Sequence, residues 1–110
     1  MTVRIITWNK PRTPSERELR EALEREGMKP FTTVMEKNEF TGAQENKHDE
    51  TRVIVSGRID FCAEGRSHIL KPGDRIDLGP GTVYTARNLE KGQSVMLCAI
   101  VGGRVYIERY

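Results

Sequence analysis

The sequence has little net charge and lacks a long apolar run. Charged residues make up 31% of the 110 residues, but the formal net charge is only +2. Because acids and bases are interleaved along the chain, no extended field of one sign is available to recruit nucleic acid or a membrane surface. No segment approaches the roughly 20 apolar residues that a membrane-spanning helix needs. We therefore expect neither nucleic acid nor membrane as a partner.

Cysteines and targeting signals are equally scarce. The first residues, MTVRIITWNKPR, lack the apolar core of roughly 7–15 residues that a signal peptide carries. Cys62 and Cys98 both lie in apolar, strand-like stretches, which is typical of buried reduced thiols rather than a disulfide framework. A chain of this length supports one hydrophobic core. These features predict a cytoplasmic protein with a single domain over residues 1–110.

Motifs for common chemistry are also missing. The sequence contains no Gly-rich phosphate loop, pair of catalytic carboxylates or nucleophile elbow. The residues by themselves therefore leave open whether the protein is an enzyme.

One segment near the N-terminus has the pattern of a short amphipathic helix. In TPSERELREALEREG, Thr13 is the predicted N-cap, Glu16 its capping-box partner and Gly27 the C-terminal stop. Leu19 and Leu23 fall on one narrow apolar face. We expect this helix to pack on the outside of the main β-structure.

From residue 31 onward the pattern is almost wholly β. Short runs with β-branched and alternating residues are separated by turns rich in Gly, Pro and Asp. Many short strands without helices between them are typical of an all-β sandwich or barrel. The candidate strands are Val3–Trp8, Phe31–Glu36, Glu50–Val55, Arg58–Cys62, Ser67–Leu70, Arg75–Leu78, Val83–Asn88, Ser94–Val101 and Arg104–Glu108.

Two of the turn-and-strand segments carry regular spacings. Glu50 and Gly57 mark the first segment, and Gly73, Pro80, Gly81 and Asn88 mark the second. Their spacing resembles the two sequence motifs of the cupin superfamily, over roughly residues 44–101. In particular, the chain is similar to small single-domain bacterial cupins of the cupin type-2 kind.

The resemblance implies a fold, an assembly and a site. It implies a small, jelly-roll-like antiparallel β-barrel over residues 31–110, with residues 1–30 as an N-terminal extension. It also implies a homodimer that pairs through strand-like terminal segments. The positions that usually hold metal-binding histidines are taken by Gln44, Asn46 and Tyr84, so the metal-binding motifs are degenerate.

Strand alternation gives the first motif a physical meaning. If residues 44–52 form one regular strand, Gln44, Asn46, His48, Glu50 and Arg52 share a face. Polar side chains in such a row cannot pack a core, so the face is expected to line a polar pocket or point to water. Arg52 would then pair with Glu50. A solvent-exposed Arg52 and a solvated His48 at the strand start are the alternatives.

These residues predict a binding protein. Arg52, His48 and the Tyr84 hydroxyl supply donors for a small polar or anionic molecule without a metal cofactor. The alternative is a dioxygenase-type or isomerase-type enzyme with divalent Fe, Mn, Ni or Zn held by His48, Glu50, Gln44 and Tyr84. A structural or regulatory protein, whose own side chains fill the pocket, is a third possibility.

Overall fold

The computed structural model describes residues 3–101, which form two antiparallel sheets and one helix. The five-stranded sheet has the order β1-β7-β4-β9-β2, and the four-stranded sheet has the order β3-β8-β5-β6. The predicted strand Arg104–Glu108 lies outside the described residues. The elements are β1 (Val3–Ile6), α1 (Glu16–Arg25), β2 (Phe31–Met35), β3 (Phe40–Glu45), β4 (Glu50–Ser56), β5 (Ile59–Ala63), β6 (Arg66–Leu70), β7 (Arg75–Leu78), β8 (Val83–Asn88) and β9 (Ser94–Ile100).

The main core lies between the two sheets. Ile54 and Ile76 of the five-stranded sheet are fully buried in one cluster with Ile59 and Phe61 of the four-stranded sheet. Alternate residues of each strand supply these side chains, because successive side chains of a strand point to opposite faces. Full burial of an Ile or Phe side chain stabilises the fold by roughly 1.5–3 kcal/mol.

The same alternation separates the two cysteines. Cys98 is buried, as predicted, but Cys62 is exposed, so its predicted burial is wrong. Cys62 lies between Phe61 and Ala63, both of which point into the core. Its own side chain therefore points to the outer face of the four-stranded sheet.

The two sheets do not close into the predicted barrel. Within residues 3–101, no strand of one sheet pairs with a strand of the other. Packed sheets lie about 10 Å apart, whereas paired strands lie about 4.8 Å apart. Side-chain packing rather than backbone pairing therefore joins the layers, and the all-β jelly-roll prediction is otherwise confirmed.

Helix α1 begins later than the sequence predicts. Its N-cap is Ser15 rather than Thr13, with Glu18 completing the capping box. Thr13 and Ser15 both start a Ser/Thr-x-x-Glu pattern. Arg12 favours the pattern that begins at Ser15, because it donates to both carboxylate oxygens of Glu18 at 2.7 Å. Hydrogen bonding by Arg12 lowers the pKa of Glu18 to about 2.

The helix packs on the outer face of the five-stranded sheet, as predicted. Leu19 and Leu23 are buried in a second cluster against Val53, Leu97 and Ala99. The other face of these strands contributes to the main core. No helix formed by residues 3–101 has the length and apolar character needed to cross a membrane.

Strand β3 is not predicted from the sequence. It forms an edge of the four-stranded sheet and pairs with β8, with a register shift between Thr41 and Gln44. Most of its side chains are exposed, so it lacks the apolar alternation that marks a half-buried strand.

Candidate functional site

The predicted polar face of residues 44–52 is divided between the two sheets. Gln44 lies in β3 of the four-stranded sheet, whereas Glu50 begins β4 of the five-stranded sheet. Residues 46–49 connect them and belong to neither strand. The prediction of one regular strand through these residues is therefore wrong, because the chain crosses between layers at this point.

Asn46 anchors this crossing. Its side chain is buried, and Nδ2 donates to the carbonyl oxygen of His48 and, at 3.0 Å, to that of Leu78. Its backbone N–H donates to the Thr82 carbonyl at 2.8 Å. Asn46 thus joins the 46–49 connection to the turn after β7, and its donors are directed at protein groups.

Gln44 and His48 lie at the surface. Both side chains are exposed, and neither lines either of the two cavities described below. Gln44 lies opposite Tyr84 in the β3–β8 ladder, and the His48 carbonyl accepts from Asn46, but neither exposed side chain lines the cavity beside Glu50 and Arg52.

Glu50, Arg52 and Tyr84 do come together, between the sheets. Arg52 Nε donates to Glu50 Oε2 at 3.0 Å, and Nη2 lies 2.9 Å from the same oxygen. Nη2 also donates to the Tyr84 hydroxyl at 2.7 Å, across the two sheets. The Arg52 side chain is only 17% exposed, so the inward orientation is the observed one and the predicted ion pair is present.

Aromatic rings support the Arg52 guanidinium. Its central carbon lies 5.1 Å from the ring centroid of Tyr84 and 5.8 Å from that of Phe61. A guanidinium at this distance from an aromatic ring is stabilised by the ring quadrupole. The rings and the Glu50 carboxylate together orient the planar group.

Burial and charge set the protonation states in this cluster. Burial alone would lower the pKa of Arg52, but neighbouring Cys98, Glu50 and Tyr84 outweigh it and raise that pKa. Burial raises the pKa of the Tyr84 hydroxyl, and Arg52 only partly opposes this. Burial likewise raises the pKa of the Cys98 thiol. The cluster at neutral pH is therefore a guanidinium beside a neutral phenol and a neutral thiol.

A cavity of about 210 Å³ lies beside the cluster, between the sheets. Glu50, Arg52 and Cys98 contribute its polar wall, and Met35 and Met96 contribute to the apolar wall. Small-molecule sites in proteins commonly have this composition, an apolar lining with a few placed polar groups. The cavity is the candidate functional site.

Sequence reasoning missed part of this cavity. Cys98 and Thr33, whose Sγ and Oγ1 atoms lie 3.3 Å apart, are not among the predicted site residues. Cys98 stands directly opposite Arg52 in the β4–β9 ladder. Only the pairing of β4 with β9, which joins segments far apart in sequence, brings Cys98 to Arg52, so no local sequence pattern could have identified it.

The donor set does not fit a transition metal. Of the two carboxylates that line the cavity, Glu50 is bonded to Arg52 and Glu39 accepts from the Glu36 backbone N–H, while Tyr84 keeps its phenolic proton. His48 and Gln44 lie at the surface. Among residues 3–101, no group of three or more His, Cys, Asp or Glu side chains converges. Such an ion needs several imidazole, thiolate or carboxylate ligands, and it would also have to displace the Arg52 guanidinium.

A larger groove of about 380 Å³ lies on the five-stranded sheet beside the C-terminal end of α1, where Glu26 and Met28 line it. Four of its charged side chains pair with one another, because Asp77 accepts hydrogen bonds from Arg4 and Arg75, as well as from Thr51, and Arg75 also binds Glu26. Burial would raise the pKa of Asp77, but these bonds outweigh burial and lower it. We therefore assign the groove to fold stability.

The architecture is similar to that of solved cupin structures. No protein-family model matches the sequence, and no curated protein matches it significantly. A cupin 2 domain-containing protein from Halorhodospira halophila is 15% identical, with a TM-score of 0.69 over 91% of this chain and 77% of that chain. A predicted oxalate decarboxylase from Thermotoga maritima is 16% identical, with a TM-score of 0.59 over 89% of this chain and 78% of that chain.

A eukaryotic structure shares the same β-core. Drosophila melanogaster CENP-C bound to CAL1 is 21% identical, with a TM-score of 0.55, over 64% of this chain and 58% of that chain. Identities this low establish the fold alone. The sheet orders, the core between the sheets and these similarities together show that the chain has the cupin fold.

Proposed function

We propose that this protein binds a small polar molecule in the cavity between its sheets, without a transition metal. The observation that carries the proposal is the half-satisfied Arg52 guanidinium. Nε and Nη2 donate to Glu50 and Tyr84, but Nη1 meets no acceptor among residues 3–101. Arg52 is half-buried, and a ligand in the cavity can supply the acceptor that Nη1 lacks, in a charge-assisted hydrogen bond.

The size of the cavity supports a ligand rather than side-chain filling. A cavity of 210 Å³ is several times larger than the space one water molecule needs, so it has room for one small organic molecule. Met35 and Met96 supply adaptable apolar surface, which suits the body of such a molecule.

The fold by itself does not determine the activity. The similar structures include a predicted oxalate decarboxylase and a CENP-C protein bound to CAL1, whose names point to different roles. Function therefore has to be argued from the site, and the Glu50–Arg52 pair favours binding over metal-dependent catalysis.

Cys98 makes the proposal testable, because its thiol lines the cavity. In a Cys62→Ser variant Cys98 is the remaining thiol of the chain. We expect some members of a polar fragment library to raise Tm and to slow the alkylation of Cys98 by N-ethylmaleimide, followed at alkaline pH over a long incubation because the thiol is buried and its pKa is raised. An excess of EDTA should leave both effects unchanged.

Matched variants connect the effect to Arg52. Arg52→Met keeps the length of the side chain and removes its donors, and we expect it to weaken fragment binding by about tenfold or more. Arg58→Met, at an exposed arginine paired with Glu90, should leave binding unchanged. Tyr84→Phe is a milder second variant that removes one hydroxyl. Loss of protection on adding EDTA, or a library without any protecting fragment, would overturn the proposal.

A further inference from the structure

We propose that the ligand of the inter-sheet cavity is a zwitterion, specifically an α-amino acid with a small aliphatic side chain. This inference rests on the proposed binding function and specifies its ligand. Three observations support it: the two atoms of the Glu50–Arg52 pair without a partner, the charge of the cavity wall, and the apolar side chains that form the rest of that wall.

The ion pair presents one donor and one acceptor. Both contacts from Arg52 fall on Glu50 Oε2, and among residues 3–101 no donor reaches Oε1. Arg52 Nη1 is also unused. A ligand that carries a carboxylate and an ammonium can bind both atoms at once, with charge-assisted hydrogen bonds at each.

The charge of the wall disfavours a simple anion. Arg52 contributes one positive charge, while Glu50 and Glu39 also line the cavity and contribute negative charges. Glu39 accepts from the Glu36 backbone N–H at 2.8 Å, so its carboxylate is held at this position. Glu39 is exposed, so solvent screens its charge, but a simple anion would still meet no net positive charge at this wall, and a simple amine would leave Nη1 unpaired. A zwitterion adds no net charge and serves both groups.

The rest of the cavity specifies the side chain of the ligand. Met35, Met96 and Ala86 contribute apolar surface, and burial of aliphatic groups against it favours binding. After the charged end is placed, the 210 Å³ volume leaves room for a small aliphatic group rather than a fused aromatic one.

Four amino acids and two truncated analogues test this inference. The probes are L-alanine, L-valine, L-leucine and L-methionine, together with 4-methylpentanoate, which lacks the ammonium of leucine, and 3-methylbutylamine, which lacks its carboxylate. Dissociation constants are measured by calorimetry, and occupancy of the cavity by protection of Cys98 in the Cys62→Ser protein. We expect at least one amino acid to bind, and the best to bind about tenfold or more tightly than either analogue.

A charge-neutral variant isolates the contact with the ammonium. Glu50→Gln keeps an oxygen acceptor for Arg52, and a urea unfolding curve checks that the variant is folded. We expect it to weaken amino-acid binding by about tenfold, whereas 4-methylpentanoate should bind at least as tightly as to the wild type, because the variant removes a negative charge beside Arg52. Arg58→Met serves as the unaffected control.

The outcomes separate the two proposals. If an analogue binds as tightly as the amino acids, or if no amino acid binds, the zwitterion inference is overturned. If another fragment still protects Cys98 in that case, the binding function stands. If neither amino acids nor fragments protect Cys98, both proposals fail.

Discussion

The buried side chain of Asn88 connects several loop segments at one end of the molecule by hydrogen bonds. Its Nδ2 atom lies 2.8 Å from the carbonyl oxygens of Glu36 and Gly92. Its Oδ1 atom accepts from the Glu90 backbone N–H at 3.0 Å and from Ser94 Oγ at 2.7 Å. The last residue of the second motif therefore serves the fold.

We expect Asn88→Ala to lower the free energy of unfolding by about 2–4 kcal/mol, because it leaves buried carbonyls without donors. Asn88→Asp should cost as much, since its carboxylate would face carbonyl oxygens. The control is Gln93→Ala, at an exposed residue of the same loop, which should stay within about 0.5 kcal/mol of the wild type. Urea unfolding measures all three. A similarly small effect of Asn88→Ala would refute the assigned role.

At the scale of elements, the turn before β7 holds the segment after β1 against the sheet. Asp74 Oδ1 accepts from the Trp8 backbone N–H at 2.8 Å, and Oδ2 accepts from the Lys71 N–H at 3.0 Å. Gly73 has a φ of +93°, and a Cβ atom there would lie 2.5 Å from Cγ of Trp8. Both backbone conformation and close packing therefore require glycine.

A pair of glycine substitutions separates those two requirements. Gly65 also has a positive φ, +77°, but a Cβ there would meet nothing within 4 Å. We expect Gly65→Ala to cost about 1–2 kcal/mol, the strain of a left-handed residue. Gly73→Ala should cost at least about 2 kcal/mol more, because the Trp8 ring must also move. Equal losses in urea unfolding would show that packing against Trp8 contributes little.

At the scale of the whole molecule, one sheet edge lacks the usual protection against pairing. Strand β2 (Phe31–Met35) contains no charged residue, and Phe31 and Val34 are 49% and 42% exposed. The other edge of the same sheet, β1, carries Arg4, and edge strand β6 carries Arg66. Charged side chains on an edge oppose association with another strand, so β2 is the favoured surface for a second copy.

The family resemblance implies a homodimer that pairs through terminal segments; we still expect a homodimer, but with β2 of each copy paired across a two-fold axis. Light scattering should give twice the 12.6 kDa chain mass at micromolar concentration. Val34→Lys should give the monomer, because it puts a charge on the pairing edge. Ile69→Lys, at a 53% exposed residue of β6, should leave the dimer intact. A wild-type particle of the chain mass would contradict this prediction.

The sequence by itself determined the elements whose pattern is local. Strands β7 and β8 have the ends that the sequence predicts, because alternating residues stand between turns marked by Gly and Pro. The apolar face of α1 and its outside position also follow from residue spacing. The Glu50–Arg52 pair could be predicted for the same reason, since residues two apart on a strand share a face.

Only the tertiary structure decided which of the predicted site residues meet. By alternation alone Gln44 and Asn46 are equivalent to Glu50, but the crossing at residues 46–49 puts Gln44 at the surface and makes Asn46 a buried anchor. The edge strand β3 carries no apolar pattern, because an edge exposed on its outer side needs none. Tyr84, Cys98 and Thr33 reach the Arg52 cluster through strand pairing and sheet packing between distant segments. Such contacts depend on register and on sheet-to-sheet placement, and no local pattern in the sequence specifies either of them.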